Sequence, residues 1–516
     1  MTNRAAHLFE RAIDRADHVA ILFGDERISF AQLAERVRDT AAQLSRIGIA
    51  KGDRVAVMLP NCPDFIVVQQ ALFAIGAIFS PINVYYKPGE VRRSLVSCDI
   101  ATLVVAPELS ERLPPLQDAS TQPIRVIVID GDKLTSSEVV QSAAPAAPPS
   151  STSLAKVADD DVVMLLHTSA TTGQSKGVML TSANLAANYD RTPDWLGLTA
   201  DDVILCALPL YNTFGLNQCI NAMLVSGATL VLHPRFDVAH CLESIERDRC
   251  TFFPAVPTML QKLFDDPLAT AARLQSLTLI MTGGAPVPAA LLRRVERGGG
   301  GTIRLLTGYG LTEATALVTL TRVELDETGE IRRGRTIGRV LDGIEVVILS
   351  ADGTRLGSGE IGEICIGGPN VMLGYYEAPG DSAAALAGGW LHSGDLGYLD
   401  DDGYAYIVDR IKDVIIRGGQ NIYPADIEEV LYHIDGVSEA AVIARPHDLL
   451  GEVPVAYVAF GVAGRRPSMA EMEDRLRKEL APFKMPAEIR VLPSLPKGPT
   501  GKILRRQLRA EQEAAD

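Results

Sequence analysis

Apolar residues recur at helical spacing at Phe30, Leu33, Ala34, Val37, Ala41 and Leu44, and Ser29 with Gln32 just ahead of them has the spacing of a capping box. The pattern predicts a helix that starts near residue 30. Short β-branched runs follow at 55–59, 102–106 and 125–129, each succeeded by a loop or a helical pattern. Strands that alternate with helices in this way form parallel sheets covered by helices. The stretch 141–153 is rich in Ala, Pro and Ser. It reads as a surface connection and not a domain boundary, because strand patterning resumes unchanged at Val162. Further strands are predicted at 227–232, 251–253, 277–282 and 303–307, helices at 238–247 and 257–264, and a flexible surface loop at 298–301. From about Arg339 the runs are separated by Asp-Gly pairs at 342–343, 352–353 and 402–403, which favours antiparallel pairing. After Lys412 a compact final unit mixes short strands with helices such as 469–480.

The chain has 516 residues, which at about 150 per domain suggests two to four domains. Hydrophobic residues make up 47% and charged residues 22%, values that exclude a disordered chain or a coiled coil. The net charge is −15, so bulk binding to a phosphate backbone is excluded and any anionic ligand needs a local site. Seven scattered cysteines form no CxxC pair, which fits buried thiols in a reducing compartment and neither a disulfide frame nor a zinc site. The first fourteen residues alternate charges with short apolar groups, unlike a signal peptide. The apolar stretch 71–84 is broken by Gly76 and Pro81 before it reaches membrane-spanning length. A cytoplasmic protein without a membrane partner is expected, and a homodimer is compatible with its size. Trp195 and Trp390 read as packing groups, and His233, His240, His433 and His447 have no partner at metal-ligand spacing.

Four segments carry chemistry. An apolar run at 162–166 leads into a loop of hydroxyls, glycines and one lysine: Thr168, Ser169, Ala170, Thr171, Thr172, Gly173 and Lys176. Hydroxyls and bare N–H groups donate to phosphate oxygens and Lys176 adds a point charge, although a plain Ser/Thr turn has the same composition. It is not a Walker A loop, since the GK[ST] order is missing. Gly308, Tyr309, Gly310, Thr312 and Glu313 place an aromatic between two glycines, ahead of a hydroxyl and a hard oxygen ligand suited to Mg²⁺; a buried Tyr with a capping Thr is the plainer alternative. Asp395, with Arg410 further on, offers a hydroxyl acceptor or a surface salt bridge. Lys502, between glycine-bearing turns, is either a mobile catalytic cation or part of a basic tail.

In this order, together with the segments 362–376, 389–395 and 418–428, the motifs resemble those of the adenylate-forming superfamily, and within it the acyl-CoA synthetases. The resemblance runs from near Phe30 to Arg509. It implies an α/β fold: a large N-terminal domain (1–411) of parallel and mixed sheets covered by helices, and a small mobile α+β domain (412–516) that rotates about a hinge at Lys412. It also implies two steps. A carboxylate attacks the α-phosphate of ATP to give an acyl-adenylate, and the thiol of CoA then displaces AMP. By motif, 168–176 would hold the β and γ phosphates, and Gly283, Gly284 and Ala285 would line the adenine. Tyr309 would stack on the base, Thr312 would touch the α-phosphate, and Glu313 would bind Mg²⁺. Asp395 and Arg410 would hold the ribose. Lys502 would bridge carboxylate and α-phosphate, and Gly418 and Gly419 would border the pantetheine tunnel. Tyr211, Asn212 and Phe214 would lie at the acyl pocket.

Three positions depart from the family pattern. The phosphate loop of the family usually reads Ser-Gly-Thr-Thr-Gly-x-Pro-Lys-Gly, whereas this chain has Ala170 for the first glycine and Ser175 for the proline. An aromatic-His pair common in acyl-CoA synthetases is Tyr211-Asn212 here. Two of the three fall on the loop that only the ATP-dependent half-reaction needs. The expectation is an acyl-CoA ligase that accepts a preformed acyl-adenylate, made by a separate adenylating enzyme, with its own adenylation weak or lost. A complete two-step ligase, an adenylation domain that loads a carrier protein, and a non-catalytic acyl-nucleotide-binding protein are the alternatives.

Overall fold

The computed structural model describes residues 3–111, 113, 124–131, 133–136, 154–168, 176–283, 289–324, 326, 331–333, 336–461, 466–498 and 503–515. Two large sheets and one small sheet organise them. The helix at Phe30–Arg46 begins as expected, with Ser29 and Gln32 closing a reciprocal capping box. It buries Phe30, Leu33, Ala34, Val37, Ala41 and Leu44. The apolar stretch after it splits in two. Pro63–Ile75 is a helix stopped by Gly76 in the left-handed conformation, and Ile78–Pro81 is a strand.

An eight-stranded sheet has parallel neighbours at its centre, Ile78–Pro81, Arg54–Met58, Thr102–Val105 and Arg125–Asp130. At one side Val162–Thr168 turns back on Lys176–Thr181 as an antiparallel hairpin, and Gly374–Tyr375 pairs with the outer strand of that hairpin. The thirteen-stranded sheet is parallel from Val203–Cys206 through Phe252–Ala255 and Leu279–Gly283 to Arg304–Tyr309. Its remaining strands on that side, including Leu391–Leu399 and Tyr404–Arg410, are antiparallel. The switch comes earlier than the Asp-Gly pattern predicts. Thr319–Arg322 already runs antiparallel to Arg304–Tyr309. The reversal is made by Thr315 and Ala316 at positive φ, residues that carry no turn signal in a sequence. The predicted loop at 298–301 is shorter than expected, because Gly298 still belongs to the helix Ala289–Gly298.

The small sheet comprises Gln420–Ile422, Ile415–Arg417, Gly451–Phe460 and Val437–His447, with Glu488–Val491 added in parallel. Alternate residues of its long hairpin face opposite layers. Ala440 and Val442 pack with Ile427, Leu431, Met472 and Leu476 from the helices Pro424–Tyr432 and Met469–Glu479. Ala441 and Ile443 pack with Leu495 and Leu508. Most buried apolar residues before residue 392 share a separate core. Ile411–Asp413 joins the two parts as a single 3₁₀ turn, and buried Asp413 is gripped by Arg509 at 2.6 Å from the C-terminal helix. The architecture is therefore a large α/β body of mixed sheets with helices, followed by a smaller α+β unit.

Among the described residues, no helix is long and apolar enough to cross a membrane. All seven cysteines are free thiols, and six are buried.

Candidate active site

Two parallel strands end at the site with bare backbone. Gly283 is paired with Gly308, and a Cβ on Gly283 would lie 2.6 Å from the Gly308 carbonyl oxygen. Two residues on, a Cβ on Gly310 would fall 1.4 Å from the carbonyl oxygen of Ala316, so the loop that follows folds directly over it. That loop holds the turn Thr312–Ala314, then Thr315 at φ 61° and Ala316 at φ 120°. A β-branched residue at positive φ is strained by about 1–2 kcal/mol and persists only where its surroundings hold it. Here the Thr315 hydroxyl donates to the Asn370 carbonyl at 2.6 Å, the Asn370 amide donates to the Ala314 carbonyl at 3.1 Å, and buried Asn188 donates to the Leu317 carbonyl at 2.6 Å.

Tyr309, Asp395 and Arg410 come together from three strands of one sheet. The Tyr309 hydroxyl donates to Asp395 Oδ2 at 2.7 Å, and Arg410 Nε lies 2.9 Å from Oδ1. Burial, reinforced by the Asp395 charge, pushes the ionisation of the Tyr309 phenol well above its ordinary range, so it stays a donor. Lys412 lies at the surface within the fields of Arg410 and Asp395, and desolvation with the Arg410 charge holds its pKa below the usual lysine value. The turn ahead of Asp395 rests on residues that motif reading did not single out. Glu363 Oε1 accepts the Gly394 N–H at 2.9 Å, and Glu363 Oε2 lies 2.7 Å from His392 Nδ1. Cys365 completes a group whose three ligand atoms lie within 4.8 Å of one another, a spatial cluster that linear metal spacing misses. Cross-strand alternation is the signal that could have found it, since Cys365 and His392 are register partners. Trp390 packs on Val347, Leu349 and Cys365, in line with a packing role.

The second group surrounds Tyr375. Its hydroxyl donates to Glu313 Oε1 at 2.9 Å, and burial followed by the Glu313 charge pushes its ionisation upward. Its ring lies 5.1 Å from the Lys176 ammonium, and that ammonium pairs with Asp381 Oδ1 at 2.8 Å. The hairpin explains the meeting. Lys176 opens the strand whose Val178 pairs with Tyr375. Ser169 to Ser175 lie outside the described residues, as do Gly284, Ala285 and Lys502, and for Thr168 only the backbone is described. Apart from Tyr375, no side chain among the described residues engages the Glu313 carboxylate, which leaves hard oxygen free for a divalent cation. Glu313 would thus suit a hard divalent cation such as Mg²⁺.

Tyr211, Asn212 and Phe214 form a separate group. The Tyr211 hydroxyl is buried without a hydrogen-bond partner, and burial pushes its ionisation upward beside Tyr85 and Tyr86. Asn212 precedes the short turn Thr213–Gly215 and a π-helix at Leu216–Asn221, a form that recurs at functional sites. Gly418 and Gly419 take φ of 57° and 81° in the tight turn between Arg417 and Gln420, which only glycine adopts without strain. Among the described residues, no hydrogen bond joins that turn to the Tyr309 or Tyr375 groups.

The sequence matches the AMP-binding enzyme family over residues 8–376 and the AMP-binding enzyme C-terminal domain over residues 426–502. It is 37% identical over 506 residues to the 3-(7a-methyl-1,5-dioxo-octahydro-1H-inden-4-yl)propanoyl:CoA ligase of Mycobacterium tuberculosis, covering 96% of each chain. It is 36% identical over 491 residues to a feruloyl-CoA synthase of Amycolatopsis, covering 95% of each. The fold superposes on ATP-bound MatB from Rhodopseudomonas palustris with a TM-score of 0.87, at 29% identity and 99% coverage of both chains.

Proposed function

The chain belongs to the AMP-binding enzyme family and is an acid–thiol ligase of the acyl-CoA synthetase type, and from that premise we propose that it makes its thioester chiefly from a preformed acyl-adenylate. The observation that carries the reading is a contrast between two groups of side chains. In the first, Tyr309 and Arg410 converge on buried Asp395 in a hydrogen-bonded set suited to a ribose and base. In the second, the phosphate loop carries Ala170 and Ser175 in place of the family's Gly and Pro, and its Lys176 is engaged by Asp381. An acyl-adenylate has no β or γ phosphate and needs only the first group.

The thiolate of CoA attacks the acyl carbonyl, the carbon–oxygen bond to phosphate breaks, and AMP leaves with the electron pair. Tyr309 faces the adenine, Asp395 and Arg410 accept and donate to the ribose, and Thr312 donates to the α-phosphate. Gly418 and Gly419 border the pantetheine after the unit 412–516 turns about Lys412 against 1–411. Where ATP is used, Glu313 would hold Mg²⁺, which would supply neutralisation of phosphate charge, and Lys502 would bridge the carboxylate and α-phosphate. The acid enters beside Tyr211, Asn212 and Phe214. The two curated relatives act, by their names, on ring-bearing acids, so ring-bearing propanoic and propenoic acids are the first candidates. A separate adenylating enzyme, a cytoplasmic setting and a homodimer complete the reading.

A complete two-step ligase is the second reading, favoured by Lys502 and by likeness to an ATP-bound relative. Acids and their synthetic acyl-adenylates, supplied separately with CoA, decide between them. Thioester from the adenylates with negligible ATP–pyrophosphate exchange is expected. Robust exchange by the unaltered protein with its acid overturns the first reading in favour of the second.

A further inference from the structure

We infer that Asp381 is a built-in competitor that occupies Lys176 in place of the β and γ phosphates, and so lets the site discriminate against triphosphate and pyrophosphate while leaving a nucleoside monophosphate unaffected. The inference rests on the reading that Lys176 serves those phosphates.

The carboxylate is positioned and not merely nearby. Asp381 sits in the first turn of Pro379–Ala385. Its neighbour Ser382 fixes that turn to the site, since the Ser382 hydroxyl oxygen accepts the Tyr375 N–H at 2.9 Å and lies 2.8 Å from the Ala378 carbonyl oxygen. Tyr375 is in turn locked in the sheet beside the strand that begins at Lys176. The ammonium therefore lies between the Asp381 carboxylate, at 2.8 Å, and the Tyr375 ring, at 5.1 Å. The opposite end of the same phenol is bonded to Glu313. The ammonium thus has Asp381 as its carboxylate partner, while the Glu313 carboxylate is bonded to the hydroxyl of the same tyrosine. A phosphate oxygen arriving at Lys176 must displace Asp381 or sit beside its negative charge. Among the described residues no hydrogen bond joins Thr312 to Lys176 or Asp381, so an α-phosphate held at Thr312 is set apart from the competing pair.

The pair is partly exposed, with side-chain exposures of 28% and 49%, so its effect is that of a surface ion pair, about two- to fivefold in an equilibrium constant. The test uses the full-length protein and isothermal titration with MgATP, magnesium pyrophosphate and AMP. Asp381→Asn should tighten MgATP and pyrophosphate by about two- to fivefold and leave AMP unchanged, and the gain should fade in high salt as screening weakens the competing charge. No change for either polyphosphate, or an equal change for AMP, overturns the inference. Lys176→Ala in parallel separates the two levels. If it weakens MgATP while Asp381→Asn does nothing, the competitor fails and the phosphate role of Lys176 stands. If Lys176→Ala leaves MgATP binding untouched, the phosphate role itself fails, and the inference with it.

Discussion

The hydroxyl of Tyr309 donates to Oδ2 of Asp395 at 2.7 Å, while Oδ1 of the same carboxylate receives Arg410. The bond spans two strands that are not neighbours in their sheet. Its consequence is orientation. Asp395 is almost wholly buried, and both of its oxygens are aimed by partners from other strands. Tyr309→Phe keeps the ring and removes the donor. A hydrogen bond to a charged group contributes about 1.5–3 kcal/mol, so affinity for AMP should fall roughly tenfold or more. Titration with AMP checks this, and an unchanged affinity would show that Arg410 alone suffices to aim the carboxylate.

His167 provides a pH prediction. It lies one residue before the end of the strand that leads toward 169–175, and its Nε2 lies 3.0 Å from Ser80 Oγ, which itself donates to the Leu165 carbonyl. Nε2 therefore carries the proton given to Ser80. Burial lowers the His167 pKa from 6.5 to about 4. A base that resists protonation when folded stabilises the native state fully above pH 6.5, and that contribution is lost as pH falls toward 4. Its size is up to about 3 kcal/mol. Urea denaturation between pH 7 and 4 should show a steeper loss for the wild-type protein than for His167→Leu. Parallel slopes would assign the acid sensitivity elsewhere.

Gly310→Ala tests the covered loop. The added methyl would meet the Ala316 carbonyl oxygen, and backbone on the far side cannot give way as a flexible side chain does. Overpacking in a fixed setting costs about 1–3 kcal/mol, and more where the neighbour is main chain. The variant should melt several degrees lower and lose AMP binding together with stability. A normal melting curve would mean that the strained turn at Thr315 and Ala316 is free to move.

The elements that local pattern specifies were legible. The capping box before Phe30, the helix Val238–Arg247 and the strands Arg54–Met58, Thr102–Val105 and Arg125–Asp130 appear where periodicity places them, within a residue or two. The motif residues also gave the family. What stayed hidden depends on contacts between distant segments. The Lys176–Asp381 pair joins a hairpin strand to a short helix some two hundred residues later, and no spacing rule links them. Glu363 and His392 meet only because two antiparallel strands set them side by side. The early antiparallel switch was missed because Thr315 and Ala316 adopt by tertiary restraint a conformation that sequence assigns to glycine. Sequence could state that Tyr309 and Asp395 share a site, but not that one holds the other.

The phosphate loop carries the last prediction. Where the family has glycine, Ala170 adds a methyl; if phosphate binding demands positive φ there, this costs about 1–2 kcal/mol and crowds an N–H that phosphate would use. Ser175 in place of proline adds conformational freedom worth about 0.4–1 kcal/mol. Ala170→Gly should therefore raise ATP–pyrophosphate exchange by roughly five- to thirtyfold, and Ser175→Pro by roughly two- to fivefold. The two residues share one loop, so the double variant need not show the product of the two effects. Neither change should alter thioester formation from a supplied acyl-adenylate, because that substrate has no β or γ phosphate to present to the loop. A rise in both half-reactions would point to general stabilisation of the protein. No rise in exchange would mean that the methyl at 170 and the serine at 175 obstruct nothing, and that whatever sets the adenylation rate lies outside this loop.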